Sequence, residues 1–360
     1  MTARNRYRRI LVGSAVAALL APLALVAAFA SPASAAPGKP HEVYIYKVEK
    51  HVDMSGEFPD QYLHDHVFCN PGDIALDGMW RVDHVDQANP PFTQGDERDV
   101  YFTASYGDDA DRTKWHFRAH NYADGDAQIK LWVTCIRGTV EQAHGHTHSV
   151  QVSSRHDDAA HTSLGADVEP VITNSYDHLF QCGPGEIAVA PGFNFTHLGP
   201  QISGGDDDDF RVRLAGSWPT ATYRGWHWDF LVEDSGVNVT LYLRCLSIKT
   251  SAAGAPSHAH NLEWAFRPNG FGGSSQLLSV VGTQERRINC DDGADGKFFQ
   301  DYKAAVAGFR IHDPWHTWFL GMDPRPKQRA YKFWWDGTSF NDVNLGAICI
   351  RARTSKQVAP

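Results

Sequence analysis

The chain carries short alternating runs of apolar and polar residues rather than amphipathic helical stripes. In Ile129-Lys-Leu-Trp-Val-Thr-Cys135-Ile136 every second side chain is apolar, and the same holds for Val239-Thr-Leu-Tyr-Leu-Arg-Cys245-Leu246 and Val343-Asn-Leu-Gly-Ala-Ile-Cys349-Ile350. A period of two marks a half-buried strand. Runs such as Val100-Tyr-Phe-Thr-Ala and Phe210-Arg-Val-Arg-Leu are rich in β-branched and aromatic residues, whereas i, i+3, i+4 recurrence is scarce. The pattern predicts an all-β protein.

The three runs ending in cysteine also expose an internal repeat. Upstream of each lies a second cysteine, in Cys69-Asn-Pro-Gly-Asp-Ile-Ala, in Cys182-Gly-Pro-Gly-Glu-Ile-Ala, and in the more divergent Cys290-Asp-Asp-Gly. Between them aromatic strands recur at matching places, Trp115-His-Phe117, Trp226-His-Trp228 and Phe333-Trp-Trp335. Six cysteines allow fifteen pairings; the repeat selects Cys69 with Cys135, Cys182 with Cys245 and Cys290 with Cys349. Closing loops of about sixty residues contributes on the order of 4 kcal/mol each in the chain-entropy account. The expected architecture is three tandem small β-sandwich, or partly open barrel, modules with one internal disulfide each, at 36–140, 141–252 and 253–360. In the first module the strands are expected at 41–48, 64–69, 74–85, 100–106, 114–121 and 129–137.

The remaining 35 residues read as a leader. Arg4, Arg6, Arg8 and Arg9 precede an apolar run from Ile10 to about Ala30, and Ala33-Ser-Ala35 resembles a cleavage site, so 1–35 is expected to be a removed signal peptide. Export places the mature chain outside the cell, secreted or surface-associated, where disulfides persist, and leaves no stable membrane span. Taking the leader's four arginines from 33 basic residues leaves 29 against 42 acidic ones, which excludes nucleic acid as a partner because phosphate binding needs a basic face.

The Cys-x-Pro-Gly-x-x-Ala start, the central Trp and the terminal aliphatic-x-x-Cys strand resemble a repeated two-cysteine β module of secreted Gram-positive bacterial proteins. That resemblance implies location and fold, and no biochemical activity.

Candidate chemistry lies mainly in histidine. His146-Thr-His148 and His258-Ala-His260 open the second and third modules, with His41-Glu-Val in register with His148 and His260 at the start of the first. On a strand, His-x-His puts both imidazoles on one face, a spacing suited to zinc or copper, and His144 extends that face. The candidate metal ligands are therefore His144, His146, His148, His258 and His260, with structural contact between modules as the alternative. Acidic runs at Asp291–Asp295, Asp206–Asp209 and Asp108-Asp109-Ala-Asp111 are candidate calcium loops, although Tyr302 occupies the position of the bidentate Glu of an EF-hand. Trp218, Trp264, Trp315 and Trp318 are candidates for stacking on sugar rings, against the alternative that each fills a core.

No nucleophile elbow, phosphate loop or dinucleotide fingerprint is present. The expected function is thus a non-catalytic extracellular protein for adhesion, ligand binding or assembly, with self-association or a cell-surface glycan as partner. The alternative is a secreted polysaccharide-active enzyme or lectin that uses a metal.

Overall fold

Alternation becomes strand pairing throughout the described chain. In the computed structural model the first cysteine segment folds into β1 (Ile45–Met54), β2 (Tyr62–Phe68), β3 (Ile74–Val85), β4 (Val100–Gly107), β5 (Lys114–Asn121) and β6 (Ala127–Ile136), followed by the short β7 (Thr139–Glu141). The second contains β8 (Thr147–Ser149), β9 (Val152–Asp157), β10 (Glu186–His197), β11 (Val212–Pro219), β12 (Trp226–Val232), β13 (Val237–Ser247) and β14 (Ser251–Ala252). The third contains β15 (Ala259–His260), β16 (Trp264–Arg267), β17 (Ser275–Leu278), β18 (Gly282–Asn289), β19 (Tyr302–Ile311), β20 (Thr317–Arg325), β21 (Ala330–Gly337), β22 (Asn341–Arg351) and β23 (Gln357–Val358). The structure describes residues 40–360 except 57–60, 86–95, 124, 142–146, 158–180, 198–210, 233–236, 253–257, 268–274, 279–281, 291–300, 339–340, 356 and 359–360. The leader at 1–35 lies outside the described residues, as do the acidic runs at 206–209 and 291–295. Among the described residues no helix is long and apolar enough to cross a membrane.

The sheets are shared between segments. One runs β1-β6-β3-β20-β21-β18, a second β2-β5-β4-β10-β13-β9, and a third β12-β11-β19-β22-β16 with β17 also on β22. Each sheet takes strands from two segments, and each segment gives strands to two sheets, so the pairing closes in a cycle. The three crossings fall at Gly321 opposite Arg81, Ala104 opposite Asn194, and Gly216 opposite Arg310. A small residue stands on one side of every crossing, and a Cβ on Gly321 would meet the Trp80 carbonyl oxygen at 2.0 Å. Close backbone approach therefore selects glycine at position 321.

The disulfides form in the pairing the repeat selects: Cys69–Cys135, Cys182–Cys245 and Cys290–Cys349. Cys69 follows β2 while Cys135 lies in β6, and Cys290 follows β18 while Cys349 lies in β22. In both cases the bond ties two different sheets together. The apolar interior is continuous over all three segments. At its centre Trp80 meets Phe193 at 6.2 Å and Phe319 at 5.9 Å between ring centres, and Phe319 stacks on Phe309 at 3.9 Å.

Strand register corrects one alignment. Phe117 pairs with Ser105, Trp228 with Ser217, and Phe333 with Met322, each one residue beyond the bulge at the crossing. Phe333 therefore corresponds to Phe117 and Trp228, and the counterpart of Trp115 and Trp226 is Tyr331. The third aromatic run is thus offset by two residues from the spacing read in the sequence, because three consecutive aromatics mask which of them shares the inward face.

Short strands close the cycle at the segment junctions. β8 lies between β7 and β14, and β15 pairs with β23. Glu42 bridges both Glu141 and Arg353, and Lys249 bridges Asn261. The opening of each segment thus sits between its own tail and the tail of a neighbouring segment.

Candidate functional site: a charged cleft and a histidine cluster

A cleft of about 1100 Å³ lies over the outer face of the sheet shared by the first and third segments. Alternation along the strands sets its lining: β1 sends out Lys47 and Glu49, β6 Lys130 and Trp132, β3 Arg81, and β20 Asp323 and Arg325. Eight basic side chains, with Arg137, Lys303, Lys327 and Arg353 completing them, face five acidic ones, Glu42, Glu49, Glu141, Asp301 and Asp323. A locally positive surface therefore sits on a chain of formal charge −9, a contrast that focuses anions into the cleft.

Ion pairs hold the lining in place. Lys47 Nζ lies 2.7 Å from Asp323 Oδ1 and 3.1 Å from Glu49 Oε2, and Arg325 Nε lies 2.8 Å from Asp323 Oδ2. Lys47 also sits over the Trp132 ring at 5.2 Å. Partial burial pushes the Glu49 carboxyl up, but hydrogen bonds from Trp132, His51 and Lys47 outweigh it and bring the group down to about 2. At the mouth, Tyr44 is 51% exposed. It stacks on Tyr46 at 5.6 Å, and the Arg137 guanidinium stands 5.1 Å from its ring centre. Tyr46 is fixed in turn by donating to Asp73 Oδ2 at 2.7 Å while accepting from Asn70 N at 2.8 Å.

Two of the sequence-predicted histidines meet at the segment junctions. His148 and His260 come together with His41, which the His-x-His spacing passed over although its register was visible. All three are buried, and one ring nitrogen from each lies within 4.8 Å of the other two. His258, also buried, stands beside the cluster, whereas His144 and His146 lie outside the described residues.

The four tryptophans do not form a common platform, and none lines the cleft. Trp218 stacks on His227 at 5.1 Å beneath Arg310, Trp264 packs on Tyr223, and Trp318 lies under Arg98. Trp315 alone of the four is exposed, at 50%. Asp108 and Asp111 are engaged in their own turn: Asp108 Oδ1 accepts from Ala110 N and Asp111 N, and Asp111 Oδ1 accepts from Thr113 N and its hydroxyl. Burial raises the Asp108 carboxyl, yet His116 and those amides bring it to about 2. This run is satisfied as a turn.

The cleft residues were missed because outward positions on strands read as ordinary solvent-facing polarity. Which of them share a face across segments depends on pairings with no local signature.

No protein-family model and no curated protein matches the chain.

Proposed function

We propose that this is an exported, non-catalytic β protein that binds an acidic oligosaccharide in the cleft between its first and third cysteine segments. One observation carries the reading: an exposed tyrosine at the mouth of a cleft where carboxylates and a surplus of cations alternate. Sugar rings offer apolar faces that stack on aromatic side chains, and their hydroxyls need acceptors as well as donors. The excess of cations adds recognition of a carboxylate or sulfate on the ring. A polyphosphate chain would meet five carboxylates in the same wall. Glu49, held in an ion pair with its carboxyl brought down to about 2, is suited to accept from hydroxyls rather than to deliver a proton, which favours binding over hydrolysis. Three disulfides suit the oxidising exterior that the arginine-led leader implies.

Calorimetric titration with a uronic-acid hexasaccharide and a neutral hexasaccharide tests this. The acidic sugar is expected to bind, with affinity falling as salt rises. A Lys130→Glu, Lys303→Glu double variant should weaken it by about tenfold or more, as two lost and reversed charges imply. Equal binding of both sugars, indifference to the double variant, or preference for a single-stranded oligonucleotide would overturn the proposal.

A further inference from the structure

The rings of His41, His148 and His260 do not line the cleft, and their geometry points to a ligand of their own. Each imidazole comes from the opening of a different cysteine segment, and their exposures are 0%, 1% and 0%. The ring centres are separated by 4.7 Å (His41 to His148), 4.4 Å (His41 to His260) and 4.9 Å (His148 to His260). With metal–nitrogen bonds of about 2.0–2.1 Å, three imidazoles on one tetrahedral ion hold their ring centres about 5 Å apart. The observed triangle is close to that size and nearly equilateral.

The tautomers follow from the hydrogen bonds. His148 Nδ1 is 3.1 Å from the Ser251 carbonyl oxygen, and His260 Nδ1 is 2.9 Å from that of Ser355. A carbonyl can only accept, so Nδ1 carries the proton in both rings, and in the neutral ring Nε2 is the unprotonated nitrogen. Such an Nδ1–H to carbonyl bond is how a metal-binding histidine is oriented and made more basic. Ser251 and Ser355 each stand six residues after a repeat cysteine, Cys245 and Cys349, so the tail that pairs with each opening also sets its ring. The backbone repeats the fixing: His41 N donates to Thr354 Oγ1 at 2.9 Å, and His260 N to Thr250 Oγ1 at 3.1 Å.

We propose that His41, His148 and His260 bind one zinc ion through Nε2, closing the cycle of three segments. Three imidazoles without a thiolate or carboxylate suit a borderline divalent ion such as zinc rather than calcium or magnesium. His258 stands beside the cluster, its ring centre 4.9 Å from His148 and 5.3 Å from His260. Because the rings are closed off from solvent, the ion is structural and takes no substrate.

The test uses the full mature chain with its disulfides intact, exposed to zinc and then dialysed against zinc-free buffer. Elemental analysis should find about one zinc per chain, and cobalt loaded in its place should give the visible bands of a tetrahedral nitrogen site. Chelation should lower the midpoint of thermal unfolding, and His260→Gln should abolish both the retained metal and the response to chelator. Retention below about a tenth of an equivalent by the unaltered protein under zinc excess, with an unfolding midpoint indifferent to both zinc and chelator, would overturn the proposal even if the variant does not fold. Selective retention of copper would overturn the choice of ion. Lys130→Glu, Lys303→Glu, which should weaken saccharide binding, should retain the zinc.

Discussion

The join between the first and second segments and the join between the first and third use the same crossing of strands but bury opposite charges. At the first, Arg244 of β13, the residue before Cys245, reaches into the first segment: Nη1 donates to the Ala75 and Arg112 carbonyls at 2.8 Å each, and Nη2 to those of Asp108 at 2.5 Å and Asp111 at 3.4 Å. At the second, the residue before the cysteine is Thr134, and the buried charge is a carboxyl. Asp77 Oδ2 accepts from Ala307 N at 2.9 Å and from the Tyr331 hydroxyl at 3.1 Å, and Thr134 Oγ1 lies 3.1 Å from that hydroxyl. The same crossing thus accommodates a buried group of either sign, the cation on the cysteine strand and the carboxyl on β3, provided the neighbouring segment supplies the complement.

The two groups differ in what acidity does to them. Burial lowers the Arg244 guanidinium to about 10 against the pull of three nearby aspartates, so it stays charged at every ordinary pH. Burial raises the Asp77 carboxyl from 3.8 to about 7, only partly offset by its hydrogen bonds. The folded chain therefore holds this proton more tightly than the unfolded chain. The contribution is complete below about pH 4 and is lost as pH rises towards 7.

Removing the cation should have the largest effect. Arg244→Ala takes the guanidinium from the buried Ala75 carbonyl and from three part-buried ones and is expected to destabilise by about 3–5 kcal/mol, read from the urea midpoint, with little dependence on pH between 5 and 8. A cost under about 1 kcal/mol would mean that water or rearranged backbone satisfies those carbonyls. Asp77→Asn comes next. From its displaced titration, the unaltered protein should lose a few kcal/mol of stability from this group between pH 4 and pH 8, and the variant should lack that component. Parallel pH profiles for the two proteins would sink the assignment.

The smallest effects are expected at the residues flanking the crossings, where one position has three chemistries. Arg118 donates to the Asn194 side-chain oxygen and the Phe195 carbonyl, Asp229 Oδ2 lies 3.3 Å from Arg310 Nε, and the Arg81 guanidinium lies 4.2 Å from the Trp334 ring centre. Double-mutant cycles should give about 1–2 kcal/mol for the partly buried Asp229–Arg310 pair and about 0.5–1 kcal/mol for Arg81–Trp334. Reversal of that order would indicate that burial costs Asp229 more than Arg310 returns, in keeping with the upward displacement that burial gives its carboxyl.

What the residues disclose on their own is local. Ile74–Val85 and Lys114–Asn121 were legible as strands to the residue because alternation and turn dipeptides bracket them, and the cysteine pairing followed from a repeated order. The crossings at Arg81, Asn194 and Arg310 were not, since a pairing between distant strands leaves no period in the chain. The cleft was hidden for the same reason. The histidine cluster was half legible: His-x-His spacing drew attention to neighbours on one strand, whereas the cluster takes a single ring from each of three openings.

The beginning and end of the folded unit are hydrogen-bonded to one another, with Thr354 N donating to the His41 carbonyl and Val43 N to that of Ala352, each at 2.9 Å. A polypeptide with these ends spliced and new termini cut between β7 and β8 would retain every strand pairing described above. Where synthesis starts is therefore a convention for this unit, and a permuted gene should yield the same native protein.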